Sequence, residues 1–329
     1  MATHHMSFSD LRIAIVGFGE IAREHTAVFQ ALGARIVAAA NRSPEGRRKA
    51  EQLGGIERTY SDARTMVERE RPDGVLVSAS ALSQFEVIRN LIPCDVPLLV
   101  EKPPAVSLAD WNLLRTEIEA RRLPVMVALN RRYYSVYHRA LQCMGGVEAV
   151  TAVTVEWSED PEKMLGLGHP VEMIPLLNFS NSIHGLDLLV FLAGLPQSPA
   201  VWGRNLDPSR RSFRWQMCVQ GETDRGAYAR LESSWDVPGR WRLTVDAPNV
   251  RMVSAPLETV VMYTRGQAPV TIEASVEDRQ FKPGFYGQAT AFLELIRNPG
   301  CRAWPMPRLE EISASMQLAD SLTRICHPL

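Results

Sequence analysis

Net charge, paired cysteines and long apolar runs are all scarce in this chain. Lys and Arg number 36 against 37 Asp and Glu, so the formal net charge is -1. Such a balance offers no general field for DNA, RNA or an anionic membrane surface. Cysteine occurs five times, at Cys94, Cys143, Cys218, Cys301 and Cys326. The count is odd, and no Cys-x-x-Cys pair occurs. That argues for reduced thiols in the cytoplasm and against a disulfide frame. No apolar run approaches the ~20 residues of a membrane span, and the N-terminus lacks an apolar signal core. Met1 to Asp10 reads as a short disordered lead-in, with His4 and His5 outside any metal site. No metal centre is expected elsewhere, and no internal repeat is visible. What remains is an ordinary globular composition over 329 residues, too long for one core, so two domains are expected.

The first strong pattern is Gly17-Phe18-Gly19-Glu20-Ile21-Ala22, directly after the apolar run Leu11 to Val16. It reads as a strand, a tight turn and a helix start. Gly17 allows the turn, Gly19 lets a pyrophosphate approach the backbone, and small Ala22 lets the helix pack on the sheet. The helix N-terminus then offers N–H groups and partial positive charge to phosphates. His25 counts as part of the apolar helix face together with Ile21, Val28, Phe29 and Leu32. A second strand, Arg35 to Ala40, ends in Asn41-Arg42-Ser43, where NAD-binding proteins usually place an acidic residue. Asn41 does not repel a 2′-phosphate, Arg42 can pair with one and Ser43 can donate to one. NADP is therefore favoured, with NAD as the alternative. Ser43 and Pro44 also suit the N-cap and first position of the next helix.

Helices at Ser61 to Arg69, Ser83 to Leu91 and Ser107 to Arg121 alternate with strands at Gly74 to Val77, Pro97 to Val100 and Pro124 to Leu129. Alternation of this kind defines an α/β Rossmann fold with a doubly wound parallel sheet, assigned to residues 1–125. Ligands of such sheets lie beyond the carboxyl ends of the strands. Glu101-Lys102-Pro103-Pro104 emerges at one of those ends. Pro103 restricts the Lys102 backbone to an extended conformation. A lysine in a partly desolvated cleft beside a dinucleotide can be poised for proton transfer.

The carriers so far are Val16 to Ala22 with His25, and Glu101-Lys102-Pro103. With Asn130-Arg131-Arg132-Tyr133, His184-Gly185-Leu186-Asp187 and a closing helix pair from Phe292 to Ile325, they resemble the Gfo/Idh/MocA oxidoreductases over almost the whole chain. The resemblance implies a hydride transfer between nicotinamide and a secondary alcohol or ketone of a sugar, sugar nucleotide or polyol. It makes Lys102 the catalytic proton donor or acceptor and adds Ser78, Ala79, Ser80, Gln84 and Glu101 to the cofactor side. Arg132, Tyr133, Ser180, His184 and Asp187 become the substrate side, with His184 also catalytic. Ser180, His184 and Asp187 share one face if residues 180–191 form a single helix. Asp187 could then fix the His184 tautomer or hold a substrate hydroxyl.

Two departures stand out. Many members carry an aspartate four residues before the histidine, where this chain has Ser180. Lys102 is therefore expected to work with His184 alone. Gln84 stands where a histidine is common. Other readings on the same scaffold are a dinucleotide-binding regulator without turnover, an NAD-dependent glycosidase, and a reductase of an imine, tetrapyrrole or other carbonyl.

Residues 126–329 are expected to form a substrate-binding and oligomerisation domain, α+β, with a large open antiparallel sheet. Strands are expected at Glu148 to Trp157, Ser212 to Val219, Ala227 to Trp235, Trp241 to Val245, Val250 to Ser254, Thr259 to Thr264 and Val270 to Ile272. Ser158 to Pro170 reads as a loop. Trp202, Trp215, Trp235 and Trp241 read as sheet packing. An open sheet of this size suggests a homodimer or homotetramer.

Overall fold

The computed structural model describes residues 7–207, 213–235, 237, 241–301 and 303–326. Met1 to Met6, including His4 and His5, and the strand start expected at Ser212 lie outside the described residues. The contacts divide the chain into two compact units. One is Met1–Asn130 with Glu277–Pro307; the other is Arg131–Val276 with Arg308–Leu329.

The first unit alternates β1 Arg12–Val16, α1 Glu20–Ala31, β2 Arg35–Ala40, α2 Pro44–Gly54, β3 Thr59–Tyr60, α3 Ala63–Glu70, β4 Gly74–Val77, α4 Ala81–Leu91, β5 Leu98–Val100, α5 Leu108–Arg121 and β6 Val125–Val127. The strands form one sheet in the order β3-β2-β1-β4-β5-β6, every pair parallel. Order reverses between β1 and β4, which opens a crevice at their carboxyl ends. Strand residues from Ile13 to Ile15, Val75 to Val77 and Leu98 to Val100 are buried, as a sheet covered on both faces requires. Ser7 to Asp10 of the expected disordered lead-in lie among the described residues. Phe8 is fully buried beneath the Arg297 guanidinium, which also pairs with Asp10 at 2.5 Å.

The second unit holds α6 Ser135–Met144, β7 Ala152–Ser158, α7 Pro161–Gly166, α8 Leu177–Ser180, α9 Ile183–Ala193, β8 Ala200–Asn205, β9 Trp215–Glu222, β10 Tyr228–Ser234, β11 Arg242–Ala247, β12 Val250–Ser254, β13 Val260–Thr264 and β14 Val270–Ile272. A short helix, α10 Val276–Gln280, leads to α11 Phe285–Arg297, and α12 Leu309–Cys326 closes the fold. The eight strands run β14-β13-β12-β11-β7-β10-β9-β8. All pairs are antiparallel except β10 with β7. Alternate residues Val153, Val155, Trp157, Leu231, Leu243 and Val245 are buried, and α9 and α12 pack against this sheet.

Several boundaries differ from expectation. The α11 segment belongs with the parallel sheet, where a single cut after residue 125 would have placed it with the other. Phe292 packs on Phe29, and glycine at Gly74 leaves room for Ile296, whose Cδ1 would lie 2.5 Å from an added Cβ. β7 begins at Ala152 rather than Glu148, the expected loop after it contains α7, and β8 was not anticipated. Gly203 interrupts the β8 pattern because Ile325 of α12 fills the space of its side chain. One described run, Val171–Ala193, is long and apolar enough to cross a membrane, contrary to the sequence reading, but 83% of its apolar window is buried in the fold. It packs as core and is broken between α8 and α9. None of the five cysteines forms a disulfide.

Candidate functional site

The β1–α1 turn needs both of its glycines, for different reasons. Gly17 sits at φ 81°, and a Cβ there would meet the Ser78 carbonyl oxygen at 2.2 Å. Gly19 caps α1 without a side-chain hydrogen bond, and nothing lies within 4 Å of where its Cβ would be. The first-turn N–H groups of α1 therefore open onto space that a side chain would fill. That is what a pyrophosphate needs. The hollow here measures about 410 Å³. It gathers Gly17, Phe18, Gly19, Asn41, Arg42, Ser43, Ser78, Ala79 and Ser80, nine of the expected cofactor residues. Ala22 is fully buried, as close helix–sheet packing requires, whereas Glu20 is exposed and Ile21 half-buried.

At the end of β2 the Ser43 hydroxyl accepts from the Gly46 N–H at 3.0 Å and caps α2. Arg47 donates to the carbonyls of Asn41 and Arg42 at 2.8 and 3.0 Å, fixing that turn. Exposed Arg42 supplies positive charge to the same hollow, whereas Lys49 is paired with Glu45 at 2.7 Å. These residues fit a dinucleotide.

Lys102 follows β5 on a backbone held from three sides. The Glu101 carboxylate accepts from His25 Nε2 at 2.8 Å and from the Lys102 N–H at 3.1 Å. Gln84 donates to the Glu101 carbonyl at 2.6 Å and to the Val77 carbonyl at 3.2 Å, while its own oxygen accepts from the Ala79 N–H at 2.9 Å. His25 is fully buried, with its ring 4.4 Å from that of Phe285. A carboxylate only accepts, so Nε2 of His25 carries the proton. Gln84 and Glu101 were expected to meet the cofactor. Instead both are buried, and their polar groups tie β4, β5 and α1 together behind Lys102. Lys102 itself is half-buried, and its bond to Pro103 is cis.

In the second unit the expected substrate residues take different roles. Asn130–Tyr133 is a single 3-10 turn. It drives Arg132 inward to 1% exposure. Arg132 donates twice to Asp187, at 2.9 and 2.6 Å, and once to Glu311 at 2.6 Å. Burial opposes the Arg132 charge, but the two carboxylates outweigh it and hold its pKa above the ordinary value. Burial pushes the Asp187 carboxyl up against the pull of Arg132. Burial also acts on Glu311, where Arg132 and Arg308 prevail and hold the carboxyl below its usual range. Arg132 and Asp187 thus satisfy each other, which leaves Asp187 facing a guanidinium in place of the imidazole expected for it. Tyr133 is buried as well.

The single helix expected over 180–191 is two. Asn181, at φ -128° and ψ -51°, separates α8 from α9, so Ser180 does not stand one turn before His184. A carboxylate missed in the sequence holds that break. Glu159, 4% exposed, accepts from Asn181 Nδ2 at 2.7 Å, Ser182 Oγ at 2.6 Å and Trp157 Nε1 at 3.0 Å. Its sequence signal was slight: an acid two residues beyond a buried tryptophan whose indole N–H needs an acceptor. His184 follows in the first turn of α9 at 5% exposure. Gly185 lets that turn touch Trp157, whose Cε3 would lie 2.6 Å from an added Cβ.

Residues 11–129 match the Gfo/Idh/MocA model, described as an oxidoreductase family with an NAD-binding Rossmann fold. The match covers that stretch alone. D-apiose dehydrogenase from Paraburkholderia graminis is 32% identical over 133 residues, covering 40% of this chain and 34% of that protein. Inositol 2-dehydrogenase from Gluconacetobacter diazotrophicus is 33% identical over 131 residues, covering 39% of each chain. The chain therefore spans little more than a third of the length of these curated relatives. A Gfo/Idh/MocA family oxidoreductase from Vibrio cholerae shares the fold at a TM-score of 0.77 and 18% identity, over 95% of this chain and 97% of that one.

Proposed function

We propose that this chain is an NADP-dependent oxidoreductase, able to use NAD less well, that acts on a secondary alcohol or ketone of a sugar, sugar nucleotide or polyol. The observation that carries this reading is one unit holding both a built dinucleotide hollow at β1–α1 and a lysine clamped at the end of β5. Bound nicotinamide supplies the hydride chemistry. Lys102 takes the hydroxyl proton in oxidation or returns it in reduction, and its fixed backbone limits the positions the ammonium can reach. His184 is the second proton-handling group in this reading, as the family resemblance implies. The names of the relatives support a polyhydroxylated substrate.

The second unit binds that substrate and assembles the oligomer. Its sheet exposes Trp202, Tyr228, Tyr263 and Val270, which suits a dimer or tetramer interface. Free thiols and balanced charge suit the cytoplasm.

The test is a pair of measurements on Lys102→Ala. NADPH titration should give wild-type affinity, while turnover with polyol and sugar substrates falls to background. Undiminished turnover overturns the role of Lys102. In the same titration on wild type, NADPH should bind at least about tenfold tighter than NADH, the worth of one charge-assisted contact to a phosphate.

A further inference from the structure

Among the described residues, the arginine next to the buried Arg132 pairs with no carboxylate. Among the described residues the Arg131 guanidinium makes no hydrogen bond and no ion pair, and its Nε is buried without a partner. Aromatic rings hold it instead. Its central carbon lies 5.3 Å from the Trp157 ring centroid and 5.2 Å from that of Trp241. Those indoles stack on each other at 4.2 Å and 8°. Each indole is fixed in turn, Trp157 through Glu159 and Trp241 by donating to the Ser158 carbonyl at 2.7 Å.

Among the described residues of this unit three carboxylates are buried, and all are engaged elsewhere. Asp187 and Glu311 bind Arg132, and Glu159 binds Trp157, Asn181 and Ser182. A guanidinium packed against the stacked pair, with no protein acceptor among the described residues, keeps outer N–H groups available. Its planar fork matches a carboxylate or phosphate with two parallel hydrogen bonds. The side chain is also pre-placed, so little rotamer freedom is left to lose on binding. The platform abuts the turn that carries His184, because Gly185 lies directly on Trp157.

We propose that Arg131, seated on Trp157 and Trp241, is an anion-binding point of the second unit that selects a sugar-like ligand carrying a carboxylate or phosphate. That this ligand is the substrate rests on the oxidoreductase reading; the binding itself does not.

The experiment reads tryptophan fluorescence of the full chain with NADP present. It is titrated with D-glucuronate, D-glucose 6-phosphate and, as the neutral control, D-glucose. At least one anionic sugar should reach half-saturation about tenfold or more below D-glucose. Response to the first alone assigns a carboxylate, to the second alone a phosphate, and to both a common anion point. Arg131→Gln should abolish the preference, and Arg131→Lys, which keeps charge but loses the fork, should keep part of it. Unchanged NADPH affinity in both variants shows that the fold is intact. No saturable response to either anionic sugar, equal affinity for D-glucose, or a preference that survives Arg131→Gln overturns the proposal. Because the readout needs no turnover, a failed oxidoreductase reading leaves this result standing. Conversely, turnover of neutral sugars without anion preference sinks this proposal alone.

Discussion

Two neighbouring charged pairs, Glu101-Lys102 after β5 and Arg131-Arg132 after β6, follow the same rule in different units. In each, one residue is buried and fully bonded while the other is left half-exposed. Glu101 turns back to His25 and to the Lys102 N–H. Arg132 turns inward to Asp187 and Glu311. The buried member anchors the backbone and the other side chain is the one presented. The difference lies in what the anchor is made of. Behind Lys102 it is one carboxylate held by an imidazole and a backbone N–H, with the Gln84 amide on the adjoining carbonyl. Behind Arg131 it is a cation between two anions. Charge on one side of the comparison is spread over neutral donors, and on the other it is cancelled by opposite charge.

That distinction sets the largest expected effect. Arg132→Met removes the cation from between two buried acids. Glu311 keeps Arg308, which donates to it at 3.2 Å, but Asp187 has no other hydrogen-bonded cation among the described residues. Breaking such a pair from one side costs about 3–5 kcal/mol, a large part of the ~5–15 kcal/mol that holds a domain folded. The urea midpoint should fall sharply. Adding Asp187→Leu and Glu311→Leu should restore most of the loss, because apolar groups of similar volume tolerate burial without partners. Arg131→Met should cost no more than about 1 kcal/mol, the worth of a partly exposed cation–π contact. Equal losses at 131 and 132 would break the comparison.

A smaller effect is expected at Gly185→Ala. The new methyl would meet Trp157 Cε3 at 2.6 Å and Cδ2 at 2.9 Å. Trp157 is buried and pinned through its N–H, so it cannot swing away without losing Glu159. Overpacking of this kind costs about 1–3 kcal/mol. The near-ultraviolet circular dichroism of the stacked indoles should change with it. A silent substitution would mean that the platform under Arg131 is soft.

The sequence was readable where its signals are local. Gly17 and Gly19 mark a turn by backbone need, short buried runs mark parallel strands, and Lys102 stands just beyond one of them. The second unit hides its logic in distance. Arg131 and Arg132 are adjacent and chemically alike, and what separates them is Glu311, 179 positions further on. Glu159 meets Ser182 across 23 positions and Asn181 across 22. No proline or glycine marks the break between α8 and α9, so helical spacing ran through it and placed Ser180, His184 and Asp187 on one false face. Gln84 misled for a related reason. It occupies a cofactor-side loop by position, yet its amide serves three backbone groups.

The last expected effect is the mildest in stability and the most telling about Lys102. In Glu101→Gln, one acceptor oxygen becomes an N–H donor. If the remaining oxygen still accepts from His25 Nε2, the new amide group confronts the Lys102 N–H, donor against donor. If it accepts from Lys102 instead, His25 must shift its proton to Nδ1, which is buried without a partner beside Phe285. The first arrangement loses the hydrogen bond to the Lys102 N–H, and the second keeps both contacts but leaves the His25 Nδ1–H unsatisfied, each at a cost of about 1–3 kcal/mol. The loss is local, so hydrogen exchange at the Lys102 amide should accelerate by about tenfold or more while distant strands keep their protection. Turnover should fall with NADPH affinity unchanged, because the dinucleotide hollow at β1–α1 does not include Glu101. Wild-type turnover together with accelerated exchange would show that the clamp fixes the backbone without serving the chemistry, and the parallel between the two charged pairs would then hold for structure alone.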